Sequence, residues 1–324
     1  MTRRSSLANV PERVLRSGLL TLSRRRSLGR IATRLPIARD MVARFVAGQT
    51  LDEALVALER LRERGFATTV DILGESVASV EAARAASDAY LETLDALAER
   101  GLDRNVSLKL SQMGLEVDET ACRENVGRIV ARAVELGAFV RIDMEGHATV
   151  DRTLAIWRDV RPGPEVRHRA DCGVVIQSAL RRSPADVAAL VEAGARVRLC
   201  KGAYQEPASV AHQDRVDVDG AYEELMATLL GAGTFPALAT HDPALIRRAI
   251  EIARVGRIGP ARFEFQMLYG IRRDLQERLL DAGYGVRVYV PFGREWYPYF
   301  MRRLAERPAN VAFLLRTVLR EGRG

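Results

Sequence analysis

Two lysines, Lys109 and Lys201, stand among 47 arginines in this chain of 324 residues. Where nearly every cation has become a guanidinium, a surviving ammonium marks a place that a bulky, always-charged fork does not fill. Both lysines are therefore candidate site residues, suited to pairing with an anionic group or to Schiff-base chemistry on a carbonyl. A second constellation lies in REWYPYFMRRLAERPAN, where Tyr299, Arg302, Arg303 and Glu306 are spaced i, i+3, i+4 and i+7. On a helix that spacing is one face. A ring beside two guanidinium groups suits a small ligand with a carboxylate and an apolar ring, because Arg binds carboxylate through paired charge-assisted hydrogen bonds. A surface helix with an ordinary Arg302/Glu306 pair has the same spacing and gains little from it.

These residues need a scaffold, and the chain supplies a repeating one. From residue 66 onward, β-branched runs alternate with amphipathic Ala/Leu/Arg stretches, the rhythm of parallel strands and crossover helices. Eight strand candidates begin at Ala67, Asn105, Phe139, Gly173, Arg196, Phe235, Arg262 and Gly285, and eight units imply a closed (βα)8 barrel. Ser183-Pro184 and Asp242-Pro243 read as N-caps followed by proline. Glycines 65, 101, 137, 194 and 283 read as helix stops. Before the barrel, Thr50 and Glu53 have capping-box spacing, and Leu51, Leu55 and Leu58 give that helix an apolar face to pack on the barrel. No G-x-G-x-x-G follows a strand, which argues against a Rossmann nucleotide site. In a barrel of this kind the chemistry sits at the C-terminal strand ends. The polar residues there are Lys109, Asp143, Gln177, Arg198, Lys201, Thr240, His241, Gln266 and Tyr289.

The formal charge of +7 is unevenly placed: residues 1–35 carry nine Arg and one Glu, so the other 289 residues sit near −1. The basic segment is thus a local arm. It is either a solvated tail or a surface for anionic lipid. With no second basic face and no interleaved aromatics, nucleic-acid binding is not expected. Cys122, Cys172 and Cys200 form no metal-ligating or disulfide pattern, so no metal site is expected. There is no spanning-length apolar run or signal-peptide pattern, and the expected location is the cytoplasm, with the arm available for peripheral contact with the membrane's inner face.

The ordered blocks DILGES, SLKLSQMGL, RIDMEG, GVVIQS, RLCKGAY, ATHD, FEFQMLYG and YPYFMRRLAERPAN, across residues 71 to 310, resemble those of the proline dehydrogenase family, monofunctional bacterial type. The resemblance implies a distorted (βα)8 TIM-like barrel with its last helix over the barrel top. It divides the chain into a basic arm and packing helices, 1–65, and an FAD-binding barrel with C-terminal helices, 66–324. It implies FAD as cofactor, held by Met144, Gln177, Arg198, Lys201, Gly202, Ala203, Thr240, His241 and Gln266, with Tyr204 beside the ring. L-proline would meet Lys109, Tyr289, Tyr299, Arg302 and Arg303, with Glu75 pairing to the first arginine of the RR pair and closing the pocket. Asp143 and Arg198 would be catalytic. The implied reaction is hydride transfer from proline C5 to flavin N5, giving 1-pyrroline-5-carboxylate. Electrons would pass to a membrane quinone, and a separate pyrroline-5-carboxylate dehydrogenase would act downstream. Two departures stand out: Cys200, read as a small buried hydrophobe, and His147, read as a loop histidine.

Three rival readings remain at this point. A Schiff-base lyase or aldolase would use Lys109 or Lys201. A flavin-barrel reductase acting on a folate would leave the RR face without a role. An adaptor would use the basic arm on membrane or nucleic acid.

Overall fold

The computed structural model describes residues 42–167 and 170–305, with the side chains of residues 303–305 outside that description. The basic arm, His168, the Arg303 side chain and Glu306 therefore lie outside the described residues.

Eight strands follow in order: β1 Ala67–Ile72, β2 Asn105–Lys109, β3 Phe139–Asp143, β4 Asp171–Gln177, β5 Val197–Cys200, β6 Ala237–Ala239, β7 Glu264–Leu268 and β8 Gly285–Phe292. Each pairs in parallel with the next, and β1 pairs with β8 to close the barrel. The helices are α1 Leu51–Glu63, α2 Val80–Glu99, a single turn α3 Leu110–Met113, α4 Glu119–Leu136, α5 Val150–Val160, α6 Ser183–Glu192, α7 Arg215–Ala232, α8 Pro243–Val255, α9 Arg273–Asp281 and α10 Trp296–Ala305.

The caps show why the helices start where they do. Thr50 and Glu53 form the capping box of α1, and Asp242 caps α8 by accepting from Ala244 N at 3.0 Å. Ser183 differs from its expected role. Arg182 occupies the N-cap position, and the Ser183 hydroxyl instead donates to the Gln177 carbonyl at 2.6 Å, tying α6 to the end of β4. A buried carbonyl at a strand end is a stronger claim on that hydroxyl than a solvent-facing helix terminus.

Helix α1 buries Ala54, Leu55, Leu58 and Leu61 in the main core, against β1 and β8. Helix α10 belongs to a smaller cluster in which Trp296, Tyr299, Phe300 and Met301 pack with Phe45, Val46, Leu73 and Ile271. Leu73 follows β1 and Ile271 follows β7, so α10 sits over the C-terminal mouth of the barrel, as the resemblance implied.

The barrel interior is polar, and strand periodicity of two sets its layers. At the lowest layer, Arg287 is paired with Glu264 at 2.9 Å and Asp103 at 2.9 Å. One inward step up β7, Gln266 donates to Glu264 and accepts from Arg198. Arg198 also donates to Ser107 Oγ at 2.9 Å, and Ser107 meets Thr69 Oγ1 at 3.1 Å. The next inward positions on β1, β2, β3 and β8 are Asp71, Lys109, Asp143 and Tyr289. A connected column of buried polar groups thus rises through the barrel to its mouth, a cost the fold bears only where partners are supplied.

Candidate active site

The top layer is an alternating series of charges. Asp143, at the end of β3, accepts from Arg198 Nη1 at 2.6 Å and from the Tyr289 hydroxyl at 2.8 Å. The guanidinium of Arg198 also lies over the Tyr289 ring, 5.1 Å from its centroid. Lys109, ending β2, is 2.8 Å from Asp71 Oδ1 and 4.0 Å from Asp143 Oδ2. Burial opposes charge on Lys109, yet the carboxylates of Asp71 and Asp143 outweigh it and hold the ammonium above its ordinary pKa. Burial pushes the Asp71 carboxyl above the usual carboxylate range, against the pull of Lys109. Tyr289 is likewise raised well above the ordinary phenol value by burial, with the Asp143 charge adding to it. Neither Lys109 nor Tyr289 is an accessible base at neutral pH.

A cavity of about 720 Å³ opens above this layer, lined by Asp71, Lys109, Asp143, Met144, Arg198, Lys201, Gly202, Ala203, Thr240, His241, Gln266, Tyr289, Tyr299 and Arg302 among others. A second, of about 650 Å³, shares Glu75, Lys109, Ala203, Tyr204, Tyr299 and Arg302 with the first. Arg302, projecting from α10, makes a two-pronged ion pair with Glu75, which follows β1, so that pair stands at the boundary of the two spaces. Of the site residues expected from sequence, the first cavity gathers Glu75, Lys109, Asp143, Met144, Arg198, Lys201, Gly202, Ala203, Thr240, His241, Gln266, Tyr289, Tyr299 and Arg302. Gln177 lies behind its wall: it donates to the Glu145 carbonyl at 2.8 Å, and its Oε1 lies close to Gly202.

The loop after β5 makes the far wall. Lys201 pairs with Asp219 and, at 3.3 Å, with Asp242, which also holds Arg215 at 3.2 Å. Gly202 has φ of +112°, and a Cβ there would meet Gln177 Oε1 at 2.9 Å, so the backbone is bare where the cavity approaches it. Leu268 N donates to His241 Nε2 at 2.9 Å. Tyr204 is partly exposed, at 45%, and borders both cavities. Cys200 also lines the first cavity, its thiol pushed up to about 12 by burial, which makes it an inert wall residue.

Several charged residues in or beside these cavities were not singled out from sequence. Asp71 is the penultimate residue of β1, on the inward position beside Lys109. Glu145 accepts from Ser111 N at 2.9 Å and Ser111 Oγ at 2.6 Å, and burial raises its carboxyl above the ordinary value. Arg215 and Arg272 reach the first cavity from helix starts, where sequence offers no signal of direction. His147, which the sequence did single out as a loop histidine, is fixed by Glu206, which accepts from its backbone N–H at 2.8 Å and meets its Nδ1. It therefore joins two of the loops that rim the mouth.

Comparison with known proteins identifies the family. The family model described as proline dehydrogenase matches residues 54–316. The chain is 39% identical over 314 residues to a proline dehydrogenase of Deinococcus radiodurans, covering 95% of this chain and 99% of that one. It is 37% identical over 308 residues to proline dehydrogenase 1 of Bacillus subtilis, covering 95% of this chain and all of that one. Among solved structures it resembles proline utilization A from Bdellovibrio bacteriovorus inactivated by N-propargylglycine, with a TM-score of 0.76 and 28% identity. That match covers 82% of this chain but only 32% of the larger protein. With a family model over most of its length and full-length relatives well above 30% identity, the chain belongs to the proline dehydrogenase family.

Proposed function

We propose that this chain oxidises L-proline to 1-pyrroline-5-carboxylate with FAD bound in the first cavity, and that its electrons leave to a membrane quinone. The observation that carries the reading is the buried Asp71–Lys109–Asp143–Arg198 series opening into a cavity that Arg302 overhangs. Lys109 and Arg302 supply two fixed cations for one carboxylate, and Tyr289 and Tyr299 supply ring surface beside them.

The residues present fit a flavin dinucleotide. Gly202 bares backbone in a conformation that a side chain would strain, next to the Gln177 amide. Lys201, Arg215 and Arg272 give the cavity cationic groups suited to a diphosphate, while Met144, Thr240, His241 and Gln266 line the rest. Bound there, FAD supplies the hydride acceptor at N5 for the hydrogen on proline C5. The protein's own part is position and electrostatics. Asp143 accepts from Arg198 at 2.6 Å and from the Tyr289 hydroxyl at 2.8 Å, so the guanidinium is preorganised where negative charge develops. The Glu75–Arg302 pair, backed by Tyr204, closes the mouth over the substrate and excludes water. Arg303 is read as a second carboxylate contact from the same helix.

The Schiff-base alternative needs a neutral lysine, and the two carboxylates beside Lys109 keep it charged. Residues 66–324 are read as the catalytic barrel unit. The arm of nine arginines is read as a peripheral membrane contact near the quinone pool; among the described residues no helix is long and apolar enough to cross a membrane. The onward oxidation of the product falls to a separate pyrroline-5-carboxylate dehydrogenase. The test is proline-dependent reduction of a soluble quinone by the FAD-loaded protein, with an aromatic aminoaldehyde trapping the cyclic imine. Quinone reduction and trapped imine in equal amounts are expected, and neither appearing would refute the reading.

A further inference from the structure

Asp71 is a buried carboxylate at the heart of the site to which nothing above gives a function. Its side chain is shut off from solvent, and among the described residues its Oδ2 has no hydrogen-bond partner. Burying such a group is expensive unless it is matched by a charge that needs it. The matching charge is Lys109, whose Nζ lies 2.8 Å from Asp71 Oδ1. The register explains the reach: Asp71 is paired with Ser107, one inward position below Lys109 on the neighbouring strand.

We propose that Asp71 is a positioning residue for the substrate carboxylate, holding the Lys109 ammonium against β1 and away from Asp143 so that its remaining donors serve the cavity. Asp143 cannot hold Lys109 as well without loss. Its Oδ1 is taken by Arg198 at 2.6 Å and its Oδ2 by the Tyr289 hydroxyl at 2.8 Å, leaving the lysine 4.0 Å away. Without Asp71, Lys109 would swing onto Asp143, compete with Tyr289, and withdraw from both cavities that it lines. The two carboxylates thus divide the two cations between them, Asp71 keeping Lys109 for the substrate and Asp143 keeping Arg198 for the reaction centre. This inference rests on the reading of Lys109 as a substrate contact.

The test is a double-mutant cycle on the FAD-loaded protein, with flavin content and Tm recorded for every variant. Asp71→Asn is expected to raise KM for proline by about tenfold with kcat changed less than about threefold. It should also bring the alkaline limit of kcat/KM to lower pH, because Lys109 loses the nearer of its two carboxylates. Asp71→Glu, which keeps the charge, should recover most of the KM. In a Lys109→Met background, adding Asp71→Asn should leave KM unchanged to within about twofold, since a residue acting through Lys109 has nothing left to act on. Equal effects of Asp71→Asn in both backgrounds, or wild-type KM and pH profile for Asp71→Asn, would overturn the proposal. Wild-type KM for Lys109→Met alone would remove the substrate reading of that lysine, a failure read from a different variant. Should Asp71→Asn fail to accumulate, Asp71→Ser in both backgrounds makes the same comparison.

Discussion

At Asp143 one carboxylate organises a guanidinium and a phenol, and the consequences of removing it differ from those of removing Arg302. Asp143→Asn keeps the shape but loses the charge that fixes Arg198 at 2.6 Å. We expect kcat to fall by about 10- to 100-fold, with a smaller change in KM, measured by steady-state quinone reduction. Arg302 is expected to act in binding. Arg302→Ala should raise KM for proline by about 10- to 100-fold, the worth of one charge-assisted hydrogen bond, and should leave Glu75 without its partner. A variant whose kcat falls while KM holds would place Arg302 at the reaction centre instead. Lysine scarcity made Lys109 legible in the sequence, and helical spacing made the Tyr299–Arg302 face legible. Asp71 stayed hidden because an Asp among 42 acidic residues carries no compositional signal, and because its importance lies in a cross-strand contact.

Strands and loops place these residues, and here the polar column makes a measurable demand. Glu264 is buried, which opposes its charge, but Arg287 beside it holds its carboxyl below the ordinary value of 4.5. A depressed native pKa contributes stability that is present above the unfolded value and lost as pH falls through the native one. Glu264→Gln should therefore cost about 3 kcal/mol at neutral pH, and the Tm gap to wild type should narrow below about pH 4. A gap constant with pH would mean that the charge is not what Glu264 contributes. In the loop after β5, Gly202→Ala would force a side chain into a φ of +112° and against Gln177. We expect about 1–3 kcal/mol of strain and a markedly weaker hold on FAD, read as flavin lost on gel filtration. The strands were legible because each is a short apolar run between helical periods; β4 begins two residues earlier than expected, at Asp171, β5 one residue later, at Val197, and β6 and β7 two residues later, at Ala237 and Glu264. The Ser183 hydroxyl was misplaced because a cap signal looks the same in sequence whether or not a buried carbonyl competes for it. Loop directions, such as those bringing Arg215 and Arg272 to the cavity, follow from tertiary packing and leave no trace in local pattern.

For the whole molecule, the barrel, its α10 cover and the cavity between them support the proposal of a proline-oxidising site that takes FAD as its cofactor. Ligand linkage gives a first check, since free FAD at 100 times its Kd stabilises the native state by about 2.7 kcal/mol and should raise the Tm of cofactor-stripped protein by several degrees. In the proposed reaction a quinone would receive electrons only after the flavin had taken them from proline, so the response of the FAD-loaded protein to substrate is the central test. The most direct measurement is the visible spectrum of the FAD-loaded protein before and after anaerobic addition of L-proline. The account predicts a flavin band near roughly 450 nm that bleaches with proline and returns when a quinone is added. A protein that takes up no FAD on reconstitution, or whose bound flavin stays oxidised in saturating proline, would contradict it.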